Sequence, residues 1–342
     1  MKIIYTLLFT LLVHFCLPVN VNSQSVSDAQ WISRDTTVGS IDVIAYWNKG
    51  EKKKFRAYKV TKNFKADSLL SEKTELDCIV QFTVTDSTEK SYGIEYTMLE
   101  NKRDTSKDPA IPYEKLNLTN DDLTLRYTTD ANGALTGYTN REAVEKKLDD
   151  LVQLMSKKAQ NDFKSKDEAE KKVLSTVMEK LVNGKVLFSS VYETFISHFH
   201  NFHGYHTGLN DTLRFTESTP QAFTSTPIKY DCYIYLSSLD SLNEARFDLE
   251  KYADMSGFIK EYGTYLKQVG ESAGAKPNEQ MQTELAALDM KSEMYTTTYI
   301  DLNTGWPAFI KVTRSIITKD PKTNSTFFKD EIWTLTNDLS DQ

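Results

Sequence analysis

Four imidazoles crowd into the middle of this chain, His198, His200, His203 and His206, within the run Ser197-His198-Phe199-His200-Asn201-Phe202-His203-Gly204-Tyr205-His206. Only one other histidine, His14, occurs in the sequence. Imidazole is the commonest nitrogen ligand of zinc, copper and nickel, so the cluster is first of all a candidate metal site. If the segment is helical as far as His203, then His200 and His203 share a face and Glu193 falls on the same stripe two turns earlier, because residues three and four apart on a helix are neighbours. His206 then approaches from the loop beyond. The candidate ligands are therefore Glu193, His200, His203 and His206, and the candidate metals Zn, Cu or Ni.

The same ten residues also admit a structural explanation. Phe195, Phe199 and Phe202 repeat at helical spacing and make a core-facing stripe, and histidines near a helix C-terminus suit the negative end of its dipole. No His-Glu-x-x-His zinc-hydrolase pattern is present. There is no Gly-x-Ser-x-Gly elbow, and the 13 glycines are scattered rather than gathered into a phosphate-cradling loop. A hydrolase triad would have to draw on this one histidine cluster. Asp130, Asn132 and Gly133 fall where a calcium loop places its third, fifth and sixth residues, but Thr128 and Thr139 stand where carboxylate oxygens are required. Asn132-Gly133 therefore reads as a hairpin turn.

The elements that must position the cluster follow from periodicity. Ile41–Trp47 and Phe55–Val60 alternate as half-buried strands about a polar turn at 48–51 and predict a hairpin, with Lys52-Lys53-Lys54 as its solvated tip. Leu76, Cys78, Val80, Phe82 and Val84 line one face at period two, and Ile94, Tyr96 and Met98 return after a turn at 86–89. Thr139-Asn140-Arg141-Glu142 has the form of a capping box and opens a helix with Val144, Leu148, Leu151, Val152 and Met155 inward. A second helix is expected over 167–182, stopped at Asn183-Gly184. A third, opened by Ser190-Val191-Tyr192-Glu193, leads into the histidines and ends at Gly204. Beyond it, strands are expected at 212–215, 230–236 and 245–249, then helices over 255–269 and 277–288. A three-stranded meander over 294–302, 309–317 and 327–335 closes the chain. The fold class is α+β: antiparallel sheet from hairpins and a C-terminal meander, packed against a central helical segment. The divisions are a leader at 1–23, strand-rich halves at 24–138 and 205–342 and helical material at 139–204, or else a single domain over 30–338.

Lys2, the apolar run from Ile3 to Val19 and Asn20-Val21-Asn22-Ser23 have the layout of a secretory signal peptide cut between Ser23 and Gln24. The expected location is periplasmic or extracellular. No later segment is apolar enough to span a membrane. A net charge of −7 without any long basic run argues against a nucleic-acid partner. Cys78 and Cys232 both lie on apolar strand faces, where they are either a disulfide or two buried free thiols. Asp35-Thr36, Asp67-Ser68, Asp86-Ser87, Asp211-Thr212 and Asp240-Ser241 look like Asp-Ser/Thr sites of bacterial O-glycosylation, and equally like ordinary turn residues.

The leader cut before Gln24, the Phe199-His200-Asn201-Phe202-His203-Gly204 segment and the Tyr299-Ile300-Asp301-Leu302-Asn303-Thr304-Gly305-Trp306 turn together resemble a group of exported bacterial proteins built on lipoprotein-carrier-like (LolA-like) antiparallel sheets. The resemblance implies a fold and a compartment and no activity. With 18 tyrosines and 17 phenylalanines to line a groove, the leading expectation is a non-enzymatic envelope protein that binds an apolar small molecule or an envelope partner protein on a curved sheet. Metal binding through the histidine cluster is the alternative, and hydrolysis the third.

Overall fold

Period-two alternation runs through most of the sequence, and the computed structural model turns it into strands. The structure describes residues 30–33, 39–102, 121–162, 183–219, 227–272, 288–320 and 323–337. The expected leader, the helices over 167–182 and 277–288, and the side chain of Met155 lie outside the described residues. In chain order the strands are β1 (Gln30–Ser33), β2 (Ser40–Asp42), β3 (Lys52–Lys65), β4 (Ser68–Ser87), β5 (Ser91–Asn101), β6 (Leu125–Asp130) and β7 (Leu135–Tyr138). Past the helical segment come β8 (His206–Gly208), β9 (Thr212–Thr219), β10 (Ile228–Leu239), β11 (Glu244–Asp254), β12 (Asp289–Asp301), β13 (Pro307–Lys319) and β14 (Thr326–Asn337). Twelve of them form one antiparallel sheet in the order β1, β9, β10, β11, β12, β13, β14, β3, β4, β5, β6, β7, while β2 pairs with β8 apart.

This overturns the α+β expectation: the protein is β-rich, with strand residues outnumbering helical ones by more than two to one among the described residues. The reason lies at one seam. The last meander strand, β14, pairs along its length with β3, from Phe327 opposite Lys65 to Asn337 opposite Phe55. The strands of both halves thus merge into a single sheet, and the helices become short covers on one face. They are α1 (Arg141–Asp162), α2 (Gly184–Phe188), α3 (Thr194–His200) and α4 (Ser256–Ser272).

Local details also differ from expectation. Residues 43–48 alternate as a strand should, with Val43, Ala45 and Trp47 buried and Tyr46 exposed, yet they pair with no strand. Their amides and carbonyls bond to turns instead: Val43 to Tyr205 and Gly204, Ala45 to Asn132, Tyr46 to Thr304. The segment is a strap laid across three connections, and Lys52-Lys53-Lys54 begins β3 rather than capping a hairpin. The Thr139 hydroxyl donates to the Arg126 carbonyl instead of capping a helix. Asn183, expected to end a helix, begins one: its side-chain oxygen accepts the Val186 amide at the start of α2. Ser190-Val191-Tyr192-Glu193 opens no helix, because Ser189–Glu193 is a π-helical turn that carries α2 directly into α3.

The helix-covered face holds two apolar clusters. One gathers Phe55, Val80, Phe82 and Tyr96 of β3–β5 against Val144 and Leu148 of α1 and Phe195 and Phe199 of α3. The other gathers Cys232, Phe247, Leu249 and Met290 of β10–β12 against Phe258, Ile259 and Tyr262 of α4. Phe82 and Phe199 stack with ring centroids 4.1 Å apart, and each ring removed from water contributes roughly 2–3 kcal/mol.

Candidate functional site

The predicted helical stripe is real: Phe195, Phe199 and Phe202 are all buried, as are His198, His200 and His203. The short apolar helix α3 ends at His200 rather than at Gly204; a turn follows, closed by Gly204, whose φ of +84° is one that glycine adopts without strain, and together they set His198, His200 and His203 into the core. His200 Nδ1 lies 2.7 Å from the Gly133 carbonyl and Nε2 2.9 Å from the Tyr127 hydroxyl. A carbonyl can only accept, so Nδ1 carries the proton and Nε2 accepts from Tyr127. His203 Nε2 donates to the Gly305 carbonyl at 2.8 Å, which leaves its Nδ1 as a bare, buried acceptor.

Around these rings Trp47 packs at 5.9 Å from His200 and 5.3 Å from His203, and Trp306 at 4.7 Å from Trp47. The Trp306 indole donates to Glu51 at 2.6 Å, and the Tyr92 hydroxyl donates to the Ala45 carbonyl at 2.9 Å. One end of α3 is therefore pinned to the Asn132-Gly133 turn of the N-terminal half, the Thr304-Gly305 turn of the C-terminal half and the strap between them. Gly133 and Gly305 both have positive φ. A Cβ on Gly305 would meet the strap backbone at Ile44 and Ala45, and one on Gly133 would meet the His203 ring.

The electrostatics match this packing. Burial lowers the pKa of His200 well below the imidazole range, and neighbouring His203 adds to the effect. Burial takes His203 down to about 4, against the opposing pull of its bond to Gly305. His198 falls to about 3, through burial and then the nearby Lys251 cation. All three rings are neutral at physiological pH.

The four candidate ligands do not converge. Glu193 is buried on the π-helical turn, where its carboxylate accepts from Arg141 at 2.5 Å. His206 lies exposed on β8 and meets Asp42 of β2 at 2.7 Å. His200 and His203 are adjacent, with centroids 5.3 Å apart, but both nitrogens of His200 are already committed. Among the described residues no group of three His, Cys, Asp or Glu is arranged to hold a metal ion. Cys78 and Cys232 are free thiols, one in each apolar cluster, so the disulfide expectation is corrected to its alternative. Burial pushes both thiols up to about 12, with Asp77 adding to the rise at Cys78. The Asp130 carboxylate accepts the amides of Asn132 and Ala134, as a plain turn requires.

No family model matches this chain, and no curated protein is similar to it.

His198, which sequence reasoning set aside, is buried like His200 and His203 but borders a small cleft. Together with Thr194 and Phe195 of α3 it lines a cleft whose opposite wall is Ile310 and Val312 of β13 and Trp333, Thr334 and Leu335 of β14. The space admits on the order of one water-sized molecule. His198 Nδ1 faces the Asn201 amide nitrogen at 3.3 Å and so acts as acceptor. The proton then sits on Nε2, which is buried without a partner. Neither His198 nor the β13–β14 wall was legible as a site in advance. The cleft exists only because α3 crosses two strands that lie more than a hundred residues away in sequence.

Proposed function

We propose that the protein is a non-enzymatic binding protein acting outside the cytoplasm, which takes up an apolar ligand between α3 and the middle of its sheet by parting the two, since the closed cleft admits only about one water-sized molecule. The observation that carries this reading is the α3 cleft: five apolar walls, Phe195, Ile310, Val312, Trp333 and Leu335, and an imidazole N–H left without a partner at its edge. A buried donor without an acceptor costs about 1–3 kcal/mol, and an arriving acceptor would recover it. The π-helical turn ahead of α3 supports the same reading, because such turns interrupt regular helix bonding and recur at functional sites. A LolA-like relationship would fit such a ligand and such a compartment.

The test is displacement of a neutral hydrophobic fluorophore, N-phenyl-1-naphthylamine, combined with organic extraction and mass spectrometry of protein purified from the envelope fraction. The expected result is saturable fluorophore binding that Val312→Trp, which fills the cleft, weakens about tenfold. Saturable binding unchanged by V312W would place the ligand elsewhere. An absence of both saturable binding and an extracted ligand would overturn the reading.

A further inference from the structure

The face of the sheet turned away from the helices carries a regular pattern on β10, β11 and β12. Register sets Asp231, Tyr252 and Glu293 in one row across these strands, Tyr233, Glu250 and Tyr295 in the next, and Tyr235, Asp248 and Thr297 in a third. Cys232, Lys251 and Met294, which alternate with them in sequence, are buried on the inner face, so the three rows point outward. Glu250 therefore has tyrosine on four sides: Tyr233 and Tyr295 across the strands, Tyr252 along its own strand and Tyr235 on the diagonal. The Tyr235 and Tyr252 hydroxyls each donate to one Glu250 oxygen at 2.6 Å, and the Tyr295 hydroxyl donates to Glu293 at 3.0 Å. The rings of Tyr233, Tyr252 and Tyr295 follow one another at 6.2 and 5.9 Å, turned by 68° and 86°. Tyr295 is 38% exposed.

The acids of this surface are unequally matched. Asp231 has Arg214 at 3.6 Å and Asp248 has Arg246 at 3.0 Å. Glu250 and Glu293 hold only tyrosine hydroxyls, and among the described residues no lysine or arginine pairs with either. Lys291, two residues before Glu293, is set opposite Asp254 instead. A phenol orients a carboxylate but brings no charge, so the surface keeps two negative charges beside electron-rich ring faces that themselves attract cations. Tyrosine also gives contact area at little entropic cost, and here the hydroxyls are already tied down. Small molecules are held in hollows, whereas this is the open side of a sheet, which fits another protein. As diagonal neighbours on adjacent strands, Glu250 and Glu293 are about 7–8 Å apart, the spacing of alternate side chains along an extended chain. We propose that this face docks a basic, extended segment of a partner protein, with alternate lysines set against Glu250 and Glu293 and over the rings of Tyr252 and Tyr295. It lies on the opposite side of the sheet from the cleft under α3, so it does not depend on the apolar-ligand reading.

The experiment follows the fluorescence anisotropy of a labelled peptide of alternating threonine and lysine, titrated with the full chain and its variants. Wild type is expected to bind it saturably and to ignore the same peptide with its lysines acetylated. Glu250→Gln should weaken binding about five- to tenfold. Tyr295→Ala, at an exposed position, should do the same and serves as the second variant if E250Q does not fold. Tyr295→Phe keeps the ring face and should retain most of the affinity. Glu89→Gln removes an exposed acid from the turn between β4 and β5 and should change nothing, which separates docking on this face from attraction to the negative chain as a whole. No saturable binding by wild type, equal binding of the acetylated peptide, or equal effects of E89Q and E250Q would overturn the proposal. Binding of cellohexaose that Y295A weakens, without binding of the peptide, would overturn it in favour of a neutral glycan.

Discussion

At the scale of single residues, the histidine cluster is explained by what its protons do. His200 and His203 each give one N–H to a turn carbonyl, and His198 keeps its Nε2 proton buried without a partner. All three resist a second proton because burial removes the water that would solvate the cation. The sign of the pH dependence follows. Their folded pKa values lie below the unfolded value of about 6.5, so the unfolded chain takes up protons that the folded chain refuses as pH falls through that value. The stabilisation is complete above about pH 6.5 and drains away toward pH 4, by at most about 1.4 kcal/mol per histidine per pH unit. Urea midpoints should therefore fall steeply between pH 7 and pH 5. A flat profile over that range would show that the rings are not held neutral in the fold. The sequence revealed that these histidines end a helix beside a phenylalanine stripe. It could not reveal their partners, because Gly133, Tyr127 and Gly305 offer a carbonyl, a hydroxyl and a carbonyl that look ordinary until the fold brings them within 3 Å.

Among the elements, the strap at residues 43–48 shows where periodicity stops being informative. Val43, Ala45 and Trp47 face inward at period two whether the chain pairs with a strand or lies across turns, so the alternation was legible and the hairpin drawn from it was not. What distinguishes the two is close backbone approach, and Gly305 marks it. Its absent side chain makes room for the strap, where a Cβ would sit 2.7 Å from Ala45 Cα. Gly204 also has positive φ, but a Cβ there would meet nothing nearer than 3.8 Å. Gly305→Ala should accordingly cost roughly 4 kcal/mol or prevent folding. Gly204→Ala should cost only about 1 kcal/mol. Thermal melts of the pair decide the matter, and similar losses would mean that the strap does not rest on the Thr304-Gly305 turn. The helices were harder to read for the opposite reason. The capping signature at Thr139 is outcompeted by a tertiary hydrogen bond to Arg126, and the one at 190–193 falls inside a π-helical turn rather than at a helix start.

For the whole molecule, the strands of the C-terminal meander were legible one by one, while the seam that joins them to β3 was not, because no local pattern encodes pairing between distant strands. The seam makes a prediction about cooperativity. Cys78 and Cys232 lie on opposite sides of it, both fully buried, so each reports on its own half. Ellman's reagent should find neither in the native protein and should find both at the same urea concentration. Release of one thiol before the other would mean that the halves open independently. The seam has a further consequence in time. As the chain is synthesised, β3 and β4 emerge long before β14, and until residues 326–337 are available one edge of β3 has no neighbour. Closing that pairing means closing most of the chain into a loop, an entropic cost that delays it. The sheet is therefore finished last at its centre rather than at its margins. Until that pairing forms, the bare edge of β3 is an open template for any other strand, so it needs cover while the chain is incomplete.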